Sequence, residues 1–253
     1  MRTHEKPQQS NPHGLTINQH VFPRRSVVRF ANHGGYVQLH DIVHNVVRPA
    51  KADDPIFCAK RVWDQRAEVG FMKSIEDEFQ SLVDALIGAG VPRAIPPQHW
   101  DDVSRFFILW WARAEFADQA HEDVPFKGVT GHAWPKDQQE QMEKAGGHFF
   151  REGGTMPSRF LHGMRIQKFV DVETEPLTGK RWGMALASAG RFVVPNRPAC
   201  RIVPVSRSVS LIWGCDDAII DEREVDRIND LHIKGSDKYY FESAPSPVPS
   251  NGH

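Results

Sequence analysis

His20 stands three residues before Pro23 and is followed closely by Arg24, Arg25 and Arg29. An imidazole titrates near neutral pH, and guanidinium forks match phosphate oxygens. This stretch could therefore hold a general acid/base beside a phosphate clamp. The plainer reading has His20 bonded to a loop backbone, with the arginines in water or paired with acidic helix faces. A second candidate lies further along. Glu76 and Glu78 are two apart on an amphipathic segment, so they point to different faces. Glu76 follows Ile75 and shares the helical wheel with Met72 and Phe79, which makes it the inward carboxylate. An inward carboxylate is very costly without a cation, and Arg113 is the candidate partner. Such a pair serves catalysis and structure equally well.

Other arrangements carry less chemistry. His40 and His44 have the i, i+4 spacing that aligns two metal ligands on a helix, but they fall where a strand and turn are expected. No metal site is assigned. Gly146–Gly147 and Gly153–Gly154 lack both the Walker lysine and the dinucleotide glycine spacing, so they read as helix ends and hinges. No Gly-x-Ser-x-Gly elbow occurs. Cys58 reads as a quiet, half-buried thiol. Aromatic and basic residues alternate in Arg61–Val62–Trp63 and Lys180–Arg181–Trp182, a pattern that can stack bases and hold phosphates, although tryptophan as core is the competing reading.

Composition narrows the classes. The 253 residues are 40% hydrophobic and 25% charged, which are ordinary globular values. A net charge of −1 supplies no global attraction to nucleic acid or acidic lipid, although residues 159–201 are locally basic and 68–143 acidic. The three cysteines have no C-x-x-C spacing, which argues against a disulfide framework and for a reducing compartment. The first residues are polar, and the longest apolar run, Phe106–Ala112, is far short of a membrane span. The expectation is a cytoplasmic protein with no membrane partner.

The elements that must position these residues follow from periodicity. Residues 1–16 and 244–253 have little to bury and read as a disordered lead-in and a Pro/Ser-rich tail around one domain over 17–243. Tyr36–Val43 alternates as a strand. Met72, Ile75, Phe79, Leu82, Val83 and Leu86 form one helical stripe. Asp101–Asp102 opens a second helix with a broad buried face, from Val103 through Phe106 and Trp110 to Ala117. Pro135 starts a third helix running to about Arg151, and 157–170 is ambiguous. Trp182–Ala187 and Arg191–Val194 flank a hairpin turn at Ser188–Gly190. Val209–Trp213 reads as a strand. Asp221 starts a last helix with Val225, Ile228 and Leu231 inward, and Lys238–Phe241 returns as a strand. The expected class is α+β, a predominantly helical body with a small C-terminal antiparallel sheet.

The segment order also resembles a known family. His20-Val21-Phe22-Pro23 through Phe30 is similar to the H-x-x-P-x-x-x-L-x-x-F opening of the bacterial domain-of-unknown-function family numbered 4238. Ile75-Glu76, Arg113, the turn Phe192–Pro198 and the Val225…Ile228-Asn229 helix follow in that family's order. The turn's usual acidic position is Asn196 here, preceded by Pro195 rather than serine. A metal held by that acid in relatives would be lost or altered in this chain. The resemblance implies a bacterial protein and carries no assigned activity. The leading expectation is a phosphate-directed, nuclease-like hydrolase of nucleic acid or nucleotides, with cofactor unknown. In it His20 is acid/base, Glu76 orients the base or holds a metal, and Arg113 and Arg24 stabilise charge, with Arg29 and Asn196 binding substrate. The alternative is a non-enzymatic binding or regulatory module in which the same residues form a structural network.

Overall fold

The computed structural model describes residues 4–88 and 94–245. The chain opens with β1 (Asn18–His20), α1 (Arg24–Val28), β2 (Tyr36–Asp41), β3 (Val46–Lys51) and β4 (Cys58–Lys60). Then come α2 (Gln65–Val69), α3 (Phe71–Ile87), α4 (Trp100–Phe116), β5 (Val124–Pro125), α5 (Lys136–Lys144), β6 (Thr155–Met156) and α6 (Ser158–Thr174). The last stretch holds β7 (Trp182–Ala187), β8 (Val194–Pro195), β9 (Ile202–Ser206), β10 (Val209–Trp213), β11 (Ala218–Ile220), α7 (Glu222–Gly235) and β12 (Tyr239–Ser243).

The two long central helices follow from their patterns. The stripe of α3 (Met72, Ile75, Phe79, Leu82, Val83, Leu86) is buried along its length. It meets α4, where Phe106 stacks on Phe79 with ring centroids 3.6 Å apart. Phe22 packs on Trp110 and Phe241, so the opening segment, α4 and the last strand share one aromatic core. Residues 157–170, open between helix and strand in the sequence, are helical as part of α6, which packs along α4.

The expected helical body with one small C-terminal sheet does not hold. Of the described residues 39% are helical and 21% are in strands, in four sheets spread along the chain. One four-stranded sheet runs β3-β2-β12-β8 and another β11-β7-β10-β9, and β1-β4 and β5-β6 form two ribbons. Strand β12 lies between β2 and β8, pairing Phe241 with Leu39 and Val194, so both ends of the domain close a single sheet. Pro49 in β3, Pro195 at the end of β8 and Pro204 in β9 each remove a ladder donor. All three strands are sheet edges, where the missing N–H is tolerated.

Other local expectations shift for identifiable reasons. The hairpin across Ser188–Gly190 is absent because both edges of β7 are taken, by β10 antiparallel and β11 parallel. The chain leaves that sheet, and β8 joins the other one. Helix α5 stops at Lys144, ahead of Gly146 at φ +81°, rather than reaching Arg151. On α7 Val225 and His232 are buried and Ile228 packs against the same cluster, as expected for Val225 and Ile228, whereas Leu231 is 52% exposed. Asn229 and His232 both bond Val193, which fixes that rotation.

The expected lead-in from His4 to Thr16 lies against the body. Leu15 is buried, and Gln8 donates its backbone N–H to Glu140 at 2.8 Å. Met1–Thr3 and the tail from 246 to 253 lie outside the described residues. Among the described residues no helix is long and apolar enough to cross a membrane.

Candidate functional site

The candidate residues occupy four distinct settings. His20 ends β1, opposite Cys58 on β4, and is half-buried. Its Nε2 lies 2.9 Å from the carbonyl oxygen of Ala52. A carbonyl only accepts, so Nε2 carries the proton and Nδ1 is the atom left for acid–base work. Pro23 then opens α1, and the three arginines diverge. Arg25 and Arg29 both reach Asp84 on α3, Arg29 at 2.7 Å, and Arg29 also donates to the Gln80 carbonyl. Arg24 is exposed and has no hydrogen bond or ion pair among the described residues. Two of the three arginines are thus committed to an aspartate rather than poised around a cavity.

Glu76 and Arg113 are neighbours across the α3–α4 seam and form an ion pair. Arg113 is 2% exposed, and its guanidinium also lies 3.7 Å from Glu68 and 5.6 Å from the centre of the Trp63 ring. Glu68 in turn accepts from the indole N–H of Trp63. The arginine is therefore wrapped by two carboxylates and an aromatic face, with its Nε buried and unpartnered. Asn196 stands apart, after β8. Its amide donates to Asp237 at 2.7 Å, and its carbonyl oxygen accepts from the backbone N–H groups of Asp237 and Lys238. All of these contacts tie the turn to the start of β12.

The cavity nearest to these residues is a groove between β4 and the C-terminal end of α4. It encloses about 470 Å³ and is lined by Cys58, Lys60, Asp118, Gln119 and His121. A recess of about 60 Å³ continues from it to Asn196, Lys238 and Tyr239. Val21 and Ala114, the chain neighbours of His20 and Arg113, line the recess, but of the six candidate side chains the lining includes Asn196 alone. Burial pushes the Cys58 thiol up to about 11. The Tyr239 phenol is raised by burial and, less, by Cys58 and Asp54. Both stay protonated at neutral pH, so neither is an activated nucleophile. Lys238 pairs with Asp118, and Lys60 donates to Asn18. Two lysines against one aspartate leave the groove one net positive charge. Such a lining can bind an anion through hydrogen bonds and charge.

The aromatic–basic pairs do not make a base-stacking surface, because Trp63 and Trp182 are both fully buried. Nor do His40 and His44 converge: His40 reaches Glu242 and stacks on Tyr240, whereas His44 turns to Asp41. Of the groove residues the sequence singles out only Cys58 and Asn196; Lys60, Asp118, His121 and Lys238 come from β4, the end of α4, the loop beyond it and the approach to β12, with no shared spacing. No family model, curated protein or solved structure matches the chain, so the resemblance to family 4238 rests on its motif residues.

Proposed function

We propose that the protein is a non-enzymatic binding or regulatory module that takes a phosphate-bearing ligand, a nucleotide or a nucleic-acid phosphate, in the groove between β4, the end of α4 and β12. One observation carries this reading: of the six candidate side chains, all but Arg24 have a partner inside the fold. That pattern is expected of a network that fixes structure. The groove volume lies within the range of small-ligand sites, and its lysines offer donors to phosphate oxygens. A cytoplasmic setting fits the three free cysteines.

The hydrolase reading keeps one observation in its favour. Nδ1 of His20 has no hydrogen bond among the described residues, and Arg24, four residues on in the chain, has no hydrogen bond or ion pair among them either. One set of assays separates the two. The module predicts that nucleotides or short single strands bind the wild type, that Lys60→Ala and Lys238→Ala weaken binding, and that each loss flattens its salt dependence. It also predicts no cleavage with or without divalent metal. Cleavage that His20→Ala abolishes at unchanged stability would establish the hydrolase instead. Binding indifferent to both lysines would remove the groove from either account.

A further inference from the structure

The most heavily charged buried region lies away from the groove. Arg61, just after β4, and Arg159, on α6, are 3% and 5% exposed. Between them sits Glu143 of α5, 2% exposed, which accepts from Arg61 at 2.7 Å and from Arg159 at 2.9 Å. Arg151, in the bridge to Thr155, pairs with Asp123 at 2.8 Å. Three guanidiniums thus meet two carboxylates, and one positive charge is left over. Glu5 supplies the missing anion. Its carboxylate spans Arg151, at 2.6 Å, and Arg159, and its backbone carbonyl accepts from Arg61 at 3.1 Å.

Three features mark this as more than a surface contact. Each arginine takes a different oxygen of one residue, so three donors converge on three acceptors. Arg61 holds φ at +51°, a left-handed conformation costly for a side-chain-bearing residue, and its Nε is buried without a partner. The carboxyl of Glu5 is pushed up by burial, but Arg159, then Arg151 and Arg61, outweigh that and hold it at about 2. By contrast, the described residues from His4 to Ile17 contain no helix or strand. Their ties to the body are mostly side-chain contacts with α5, such as Gln8 to Glu140 and His13 to Asp137. Arg159 and Glu143 stand on helices, whereas the occupant sits on irregular backbone.

We propose that Arg61, Arg151 and Arg159 form an oxyanion site, filled in cis by Glu5, for which the phosphate group of a ligand competes. The terminal oxygens of a phosphate monoester match the three acceptors that Glu5 presents, and guanidinium forks favour that geometry. Displacing Glu5 leaves an uncompensated buried cation, which an incoming phosphate neutralises. The segment from His4 to Thr16 is then a tethered competitor, released from α5 when the anion binds. This site is independent of the groove.

The test uses the full chain, inorganic phosphate and a nucleoside monophosphate, at matched ionic strength. Glu5→Ala should melt below wild type and bind phosphate. At tenfold excess over Kd its melting temperature should rise by about 3 °C or more, a response much weaker in wild type. Adding Arg151→Gln should return the response to the wild-type level, and the gain of Glu5→Ala over wild type should persist when both chains also carry Lys60→Ala and Lys238→Ala. An equal response to both ligands assigns recognition to the phosphate alone, and a larger one with the nucleoside places the base or sugar against the cradle. Should Glu5→Ala not fold, Glu5→Gln removes the charge at constant shape. In wild type, saturating phosphate should speed exchange of the Gln8 amide, which is bonded to Glu140. Glu5 variants that fold but ignore phosphate, or a Gln8 amide unmoved at saturation, would overturn the proposal.

Discussion

Replacing Arg113 with Met asks how much the α3–α4 seam depends on one buried cation. The substitution keeps most of the side-chain volume and the contact with Trp63, but leaves Glu76 and Glu68 facing the same site without a counter-charge. Removing one partner of a buried pair costs roughly 3–5 kcal/mol. Glu76 and Glu68 keep 23% and 18% of their side-chain surface in water, so the lower end, about 3 kcal/mol, applies. For a chain of this size that lowers Tm by about 6–12 °C. Neutralising the carboxylate as well, in Arg113→Met with Glu76→Gln, removes much of the uncompensated charge. The double variant should be milder than the sum of its singles by about 1–2 kcal/mol. Urea unfolding at pH 7 of wild type, both singles and the double gives the coupling directly. A coupling below about 0.5 kcal/mol, or an Arg113→Met chain that unfolds with wild type, would refute the reasoning.

Phe106→Ala removes the ring stacked on Phe79 and the edge contact with Phe22, and should cost about 3–5 kcal/mol in urea unfolding. Acid should act in two windows. Burial lowers the His232 pKa from 6.5 to about 4, outweighing its bond to the Val193 carbonyl, so between those values the unfolded chain binds a proton that the native chain refuses. Stability therefore falls by about 3 kcal/mol as pH drops from 6.5 to 4, and His232→Asn should flatten that slope. Glu5, held at about 2 against 4.5 when unfolded, stabilises above 4.5. It loses about 2 kcal/mol below that, after allowance for solvent screening, and Glu5→Gln should remove this lower window. Unfolding midpoints between pH 7 and 3 check both.

The helices were readable because their signal is local. The α3 stripe is buried residue by residue; on α4 Val103, Phe106, Phe107 and Trp110 are buried as their spacing predicts, while Trp111, Ala114 and Ala117 are partly buried. The sheets were not, because their signal lies in partners far along the chain. Tyr36–Asp41 was visible as a strand, but its pairing with Tyr239–Ser243 spans nearly the whole domain. Val46–Lys51 shows no alternation, since as an edge it buries Ala50 and exposes most of the rest, and Pro49 masks it further. Pro204 hid β9 in the same way. The Ser188–Gly190 turn was a real turn signal, but whether a turn closes a hairpin depends on whether a free edge is waiting, and β7 has none.

The same distinction between residue and partner governs the site. Glu76 could be paired with Arg113 on paper because an inward carboxylate demands a cation and Arg113 stands on the buried face of the next helix. That reasoning fixes contact but not role, because the demand for charge neutrality is the same in a catalytic dyad and in a structural tie. What separates them is whether a polar atom faces a cavity, and this depends on neighbours the helical pattern does not encode. Asn196 shows the point. A motif singles it out, yet its amide is used up by Asp237 and Lys238, 41 and 42 residues away. Arg61 shows the reverse, for it passed as half of an aromatic–basic pair while its neighbour Trp63 went into the core. Its own guanidinium meets Glu143, 82 positions on, and the carbonyl of Glu5, in a segment too polar to look ordered. A buried arginine implies a buried anion somewhere. Here that anion comes from irregular backbone rather than from a helix or strand, so an outside anion competes with it without breaking a helix or a sheet.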